Sequence, residues 1–146
     1  MNKKGFTLME ILAVIAILAI IAIIVTPLVV KTLNNAREKA FLEDAIVLKK
    51  AADTYYAERD LSKENLIPLL VTYNNSIATY CENKPKLEYS GTSPYSGNIY
   101  IDNDGTVEMR IYSQKTGKCA VKTKEDQNPH LEDINIGECV LTGKTC

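Results

Sequence analysis

The sequence predicts an α+β protein. One long N-terminal α-helix, transmembrane in its first half and amphipathic in its second, packs on a small antiparallel sheet of three to four strands. Three observations predict it. No charged residue interrupts positions 11–30, and no glycine interrupts positions 6–59. Beyond residue 60 lie every glycine but Gly5, every proline but Pro27 and all four cysteines, the punctuation of a turn-rich head.

At 146 residues the chain has room for one small domain. The formal net charge is -1, which gives no basic footprint for a nucleic acid. No nucleophile–base pairing and no glycine-rich phosphate loop is visible, so the sequence does not read as an enzyme and implies no cofactor.

The run 11–30 has twenty residues. At about 1.5 Å each they span about 30 Å, the hydrocarbon thickness of a bilayer. Lys3 and Lys4 precede the run and orient its N-terminus to the cytoplasm, leaving everything from Lys31 onward outside. A secretory signal has a shorter apolar core of about 7–15 residues and a small-residue cleavage site after it. A plain single-span anchor fits the length but leaves Gly5, Phe6 and Glu10 without a reason.

Lys3-Lys4-Gly5 followed by Phe6-Thr7-Leu8-Met9-Glu10 and a long apolar stretch resembles the type IV prepilin signature, shared with the pseudopilins of type II secretion and competence systems. The resemblance is close over about the first thirty residues and loose beyond them. It implies that residues 1–5 are a leader, cut between Gly5 and Phe6 by a prepilin peptidase that also methylates the new Phe6 amine. It further implies that the apolar run survives cleavage, as the core of a filament of identical or related subunits built with an assembly machinery. The divisions expected are a 1–5 leader, a 6–30 transmembrane and filament-core segment, a 31–59 amphipathic half of the same helix, and a 60–146 α/β head.

Glu10 carries the strongest physical argument. A carboxylate in hydrocarbon costs about 2.5–3.5 kcal/mol on insertion scales, so such residues tend to have a partner. Neither Lys nor Arg lies near it in the mature chain. The resemblance implies that the partner is the Phe6 amine of a neighbouring subunit, which would make Glu10 set the register of assembly; a bland alternative pairs it with the positive end of its own helix. Pro27, deep in the run, removes one backbone donor and predicts a kink. In the resembled family a proline near this position marks a stretch that melts when subunits pack.

Past Lys31, Leu33, Ala36, Ala40, Val47, Ala51 and Tyr55 recur at helical spacings, with Phe41 and Leu48 alongside, and predict the stripe laid on the sheet. Ser62 reads as the N-cap of a short helix carrying Leu66, Ile67, Leu69 and Leu70, and 73–76 as a turn. The clearest hairpin is 98–112, with Ile99, Ile101, Val107, Met109 and Ile111 inward, Glu108 and Arg110 outward, and Asn103-Asp104-Gly105 as its turn. A third strand at 118–122 puts Cys119 and Val121 inward and its lysines outward. A polar loop over 123–133 and an edge strand near 134–136 follow.

Cys81, Cys119, Cys139 and Cys146 stand with His130 as the only histidine, which argues against zinc and for disulfides outside the cell. The turn at Thr142-Gly143 favours Cys139–Cys146, leaving Cys81–Cys119. Asp102-Asn103-Asp104-Gly105 looks like the start of a calcium loop but lacks the later ligands. Calcium binding among the resembled secretion pseudopilins draws attention to Glu125, Asp126, Glu132 and Asp133, yet no motif supports a site there. His130 reads as a solvated loop residue.

The sequence therefore reads as a single-pass protein of the cytoplasmic membrane that becomes a structural subunit of an extracellular type IV pilus-like filament. The alternative is an anchored ectodomain that binds a partner and never polymerises.

Overall fold

The computed structural model describes residues 5–62, 68–82, 84 and 86–145. Among the described residues, one helix, α1 (Leu8–Ser62), and six strands follow in order: β1 (Leu69–Asn74), β2 (Ile77–Tyr80), β3 (Ser96–Ile101), β4 (Val107–Ser113), β5 (Lys118–Lys122) and β6 (His130–Glu132). The chain divides into two compact units, Met1–Ala36 and Arg37–Cys146.

In the first unit, alanine, leucine and isoleucine without a glycine carry the helix unbroken through Pro27. Every described residue over 5–36 is exposed. The hydroxyls along the apolar stretch turn back on the helix itself: Thr26 Oγ1 donates to the Ala22 carbonyl at 2.6 Å and Thr32 Oγ1 to the Leu28 carbonyl at 2.9 Å. This helix is long and apolar enough to cross a membrane.

The second unit is an antiparallel sheet in the order β2-β1-β3-β4-β5-β6, with the later part of α1 across one face. Phe41, Ala45, Leu48 and Ala52 follow one helical face and bury against Leu69, Val71, Ile99, Ile101, Val107, Met109 and Ile111. That face is not the predicted one. Leu33 is 50% exposed, Ala36 and Ala40 are exposed, and Val47 is half-buried, whereas Ala51 and Tyr55 flank the core. Phe41 and Leu48 remove the most apolar area from water, and the small Ala45 and Ala52 let the sheet approach between them.

The sheet has six strands where three to four were predicted. The short helix expected through Leu69 and Leu70 is instead β1, in which Leu69, Val71 and Tyr73 alternate inward; Leu66 and Ile67 lie outside the described residues. Asn75 (φ 48°) and Ser76 (φ 64°) form the two-residue loop joining β1 to β2, a backbone matched to strand twist. The last strand is 130–132, not 134–136, because His130, Leu131 and Glu132 pair with Val121, Ala120 and Cys119.

The two faces of β5 are reversed from the prediction. Register places Ala120 opposite Ile111 and Lys122 opposite Met109, so Lys118, Ala120 and Lys122 share the helix-facing side. Lys122 is 4% exposed, and its ammonium donates to the Val107 carbonyl at 2.6 Å and the Thr123 carbonyl at 3.2 Å. Burial pushes its pKa down from the usual lysine range; nearby Lys49 adds to that and Asp53 opposes it. Cys119 and Val121 face the other way, into a second small core with Cys139, Tyr112 and Ile134. A strand's period of two says which residues share a face, not which face is buried.

The segment after β6 covers that outer face. Cys119 is bonded to Cys139, with Cα atoms 5.8 Å apart across a separation of 20 residues. Asn98, 5% exposed, grips the backbone of Leu141 with both ends of its amide, at 2.7 and 3.2 Å. Arg110 donates to the Glu138 carbonyl at 3.2 Å, and Lys144 pairs with Glu108 at 2.7 Å while standing 4.5 Å over the Tyr100 ring. Both predicted pairings, Cys139–Cys146 and Cys81–Cys119, are thereby corrected: the returning segment carries Cys139 to β5 before any tight C-terminal loop can use it. Cys81 is also disulfide-bonded. Cys146 lies outside the described residues.

Two measurements check this architecture. Gly97 has φ +113°, and a Cβ there would strike the Arg110 carbonyl oxygen and come within 2.8 Å of Ile111 Cα. Gly97→Ala is expected to lower unfolding free energy by about 3 kcal/mol, while Gly137→Ala, which meets open space, is expected to be neutral in the same denaturant titration. Non-reducing peptide mapping is expected to recover Cys119 linked to Cys139, and Cys119→Ser to cost about 3 kcal/mol.

Candidate processing and assembly site

The site is built at the start of α1, from Gly5 to Glu10. Gly5, Phe6 and Thr7 precede the helix, and Phe6 is 85% exposed. Nothing lies within 4 Å of where a Cβ on Gly5 would stand. The Gly5–Phe6 peptide bond is therefore in non-helical, uncovered backbone, the condition a peptidase needs to engage it.

Thr7 is the N-cap of α1 and Glu10 the third residue of its first turn. The Thr7 N–H donates to Glu10 Oε2 at 2.8 Å, the Thr7 hydroxyl donates to the same oxygen at 3.1 Å, and the Glu10 N–H is 3.3 Å from Thr7 Oγ1. This is a reciprocal capping box, in which each side chain satisfies a backbone donor that the helix start leaves orphaned. Phe6 and Ile11 occupy the flanking positions at which a hydrophobic staple forms. The acid that would be costly alone in hydrocarbon is thus anchored within its own chain. Only Oε2 is engaged among the described residues, so Oε1 retains its full acceptor capacity.

Thr7-Leu8-Met9-Glu10 ahead of an apolar run is a helix-start signature, and the box realises the alternative in which Glu10 meets the positive end of its own helix. Gly5, Phe6 and Glu10 fall together around this box. Pro27 lies farther along α1 and joins no such cluster. The four cysteines belong to the head.

The acidic candidates of the head are scattered in their bonding. Asp126 accepts the Thr123 N–H at 2.8 Å and hydroxyl at 2.7 Å, which hold its carboxyl below the usual range. Asp102 is held low first by Lys124, 2.9 Å away, and then by the Asn103 N–H. Glu132 lies 2.9 Å from Nε2 of His130, which stands on β6 instead of in the predicted loop. Asp133 pairs with Lys118. Among the described residues, no group of three or more His, Cys, Asp or Glu could hold a metal ion.

A family model described as the prokaryotic N-terminal methylation motif matches residues 1–26. The motif is the class III signal sequence that type IV pilins and pseudopilins carry. The motif supports a type IV pilin-like prepilin processed at its N-terminus. No curated protein and no solved structure matches the chain.

Thr7→Val removes the hydroxyl half of the capping box and is expected to destabilise the first turn by about 1 kcal/mol. Amide hydrogen exchange of the full chain in detergent micelles checks this: protection at Glu10 and Ile11 should fall about fivefold, while Thr7→Ser keeps it.

Proposed function

We propose that the chain is a structural subunit, pilin or pseudopilin, of a type IV pilus-like filament. A prepilin peptidase cuts between Gly5 and Phe6, the Phe6 amine is methylated, and the subunit waits in the cytoplasmic membrane with its head outside. Subunits then join through α1 into a filament outside the cell. The observation that carries this reading is the methylation motif of residues 1–26 on a helix whose apolar side chains are all exposed over 11–30. Such a surface needs lipid at first and other copies of itself later. Contacts between different faces of identical subunits generate an open helix, the symmetry of a filament.

Glu10 serves twice in this reading. Its Oε2 caps its own helix, and its Oε1 receives the methylated amine of a neighbour's Phe6, so a subunit at the wrong height leaves both charges without a partner. Pro27 supplies a place where the helix bends or opens during packing, since its missing N–H removes one rung of the ladder.

The mass of the native N-terminus tests the first step. A chain beginning at Phe6 and carrying one added methyl group is expected; a chain that still holds Met1 supports an anchored, non-polymerising ectodomain instead. Glu10→Ala is expected to leave cleavage intact and to cut sheared-filament yield at least about tenfold, as loss of a partner for a buried amine requires. Wild-type yield from that variant removes Glu10 from the assembly step.

A further inference from the structure

A cleft of about 400 Å³ opens at one end of the head. Arg37, Ala40, Phe41 and Asp44 recur at helical spacing along one wall, and three turns close the other, at Ser76, at Thr92–Tyr95 and at Ser113–Thr116. Its floor is apolar, with Phe41 and Pro94 both buried. The size is that of a small-molecule site, and so is the chemistry of an apolar floor with a few convergent polar groups.

The charges in this cleft are uncommitted. Among the described residues, Arg37, Lys115 and Asp44 enter no hydrogen bond or ion pair, whereas Lys49 is linked with Asp53 at 2.7 Å and Lys124 with Asp102 at 2.9 Å. The hydroxyls of Ser76, Thr92 and Ser113 are without hydrogen-bond partners there too. Two cations, one carboxylate and a ring of hydroxyls around an apolar floor complement a ligand with a phosphate, a nearby ammonium and an apolar continuation.

The geometry points to a phospholipid headgroup of the phosphoethanolamine class as the occupant, taken from the outer leaflet while the subunit is still in the membrane. The phosphate is matched by Arg37 and Lys115, a fork and a point charge that both favour phosphate oxygens. The ammonium, with three donors, is matched by the Asp44 carboxylate. Supply is close: Arg37 follows the last residue of the apolar run, Val30, by seven positions, which reach at most about 25 Å even when fully extended. The inference rests on the membrane-anchored stage of the function proposed above. It adds a lipid-held state that the subunit leaves on entering a filament.

Native mass spectrometry of the full chain, purified in lipid nanodiscs of equal parts phosphatidylethanolamine, phosphatidylglycerol and phosphatidylcholine, tests this. Phosphatidylethanolamine should be retained at least about fivefold over either competitor, the gain from one matched charge-assisted hydrogen bond. The exposed pair of substitutions Arg37→Ser and Lys115→Ser should abolish selective retention, and Asp44→Asn should equalise phosphatidylethanolamine with phosphatidylglycerol. Equal retention of all three lipids, or unchanged selectivity in the double variant, overturns the proposal. So does binding of free phosphoethanolamine or inorganic phosphate without lipid retention, which assigns the cleft to a soluble ligand. The N-terminal mass of the same sample separates the two readings: a normal Phe6 terminus with no lipid preference sinks this inference and leaves the filament reading standing.

Discussion

An apolar helix in lipid has to satisfy every polar group from within, because the surroundings offer neither donors nor acceptors. The first unit meets that constraint at its hydroxyls and at its helix start. Thr26 and Thr32 return their hydroxyls to carbonyls one turn back, and Thr7 and Glu10 close the helix start against each other. Two positions stand out in it: Pro27, which has no N–H to donate, and Glu10, whose Oε1 has no partner among the described residues. They are the positions to which the assembly reading assigns work.

The head answers the opposite problem. Its residues must exclude water with a small chain, and one helix on one face of a six-stranded sheet leaves the other face open. The C-terminal segment supplies the second layer with little apolar mass of its own, so fastening substitutes for area. A disulfide holds one end at Cys139, an amide grips Leu141, and a mostly shielded ion pair holds Lys144 to Glu108. Each fastener reaches a different strand, which makes the strap a cross-brace over β3, β4 and β5. The same covering accounts for Asn98 and Glu108, polar residues on strands that would otherwise read as one-sided.

Local patterns predict most elements, and contacts between distant segments decide which of their faces are buried. The 98–112 hairpin came out with its inward residues right, because strand alternation and the Asp104-Gly105 turn lie within fifteen positions of each other. Gly105 also had a reason that no local pattern carries: a Cβ there would come within 2.6 Å of the Tyr56 ring. β1 reads as a helix in the sequence because Leu69 and Leu70 behind Pro68 show no alternation, and its pairing with β3 makes it a strand. The sequence predicts β5 with the correct residues and the wrong face, and the local turn at Thr142-Gly143 points separately to the wrong partner for Cys139. With Cys119 turned outward, its partner had to come from whatever covers the outer face. On α1, apolar spacing alone could not choose between two neighbouring stripes, and side-chain size decided it.

At the candidate site, charge alone gives Glu10 two partners, a neighbour's amine and the positive end of its own helix, whereas the Thr7 three residues before it specifies the backbone donor it caps. The two roles do not compete. Capping stabilises a helix start by about 1 kcal/mol and needs one oxygen. In the proposed assembly, a neighbour's amine would use the other oxygen, since leaving either charge unpaired in a low-dielectric interior is costly. A carboxylate already fixed by Thr7 also loses little rotamer freedom when the amine arrives, which lowers the entropic cost of docking. An uncapped glutamate would have to be ordered and desolvated in the same step. In the proposed assembly, the threonine before it would thus make the acid a better counterion, by holding it still before a partner is present.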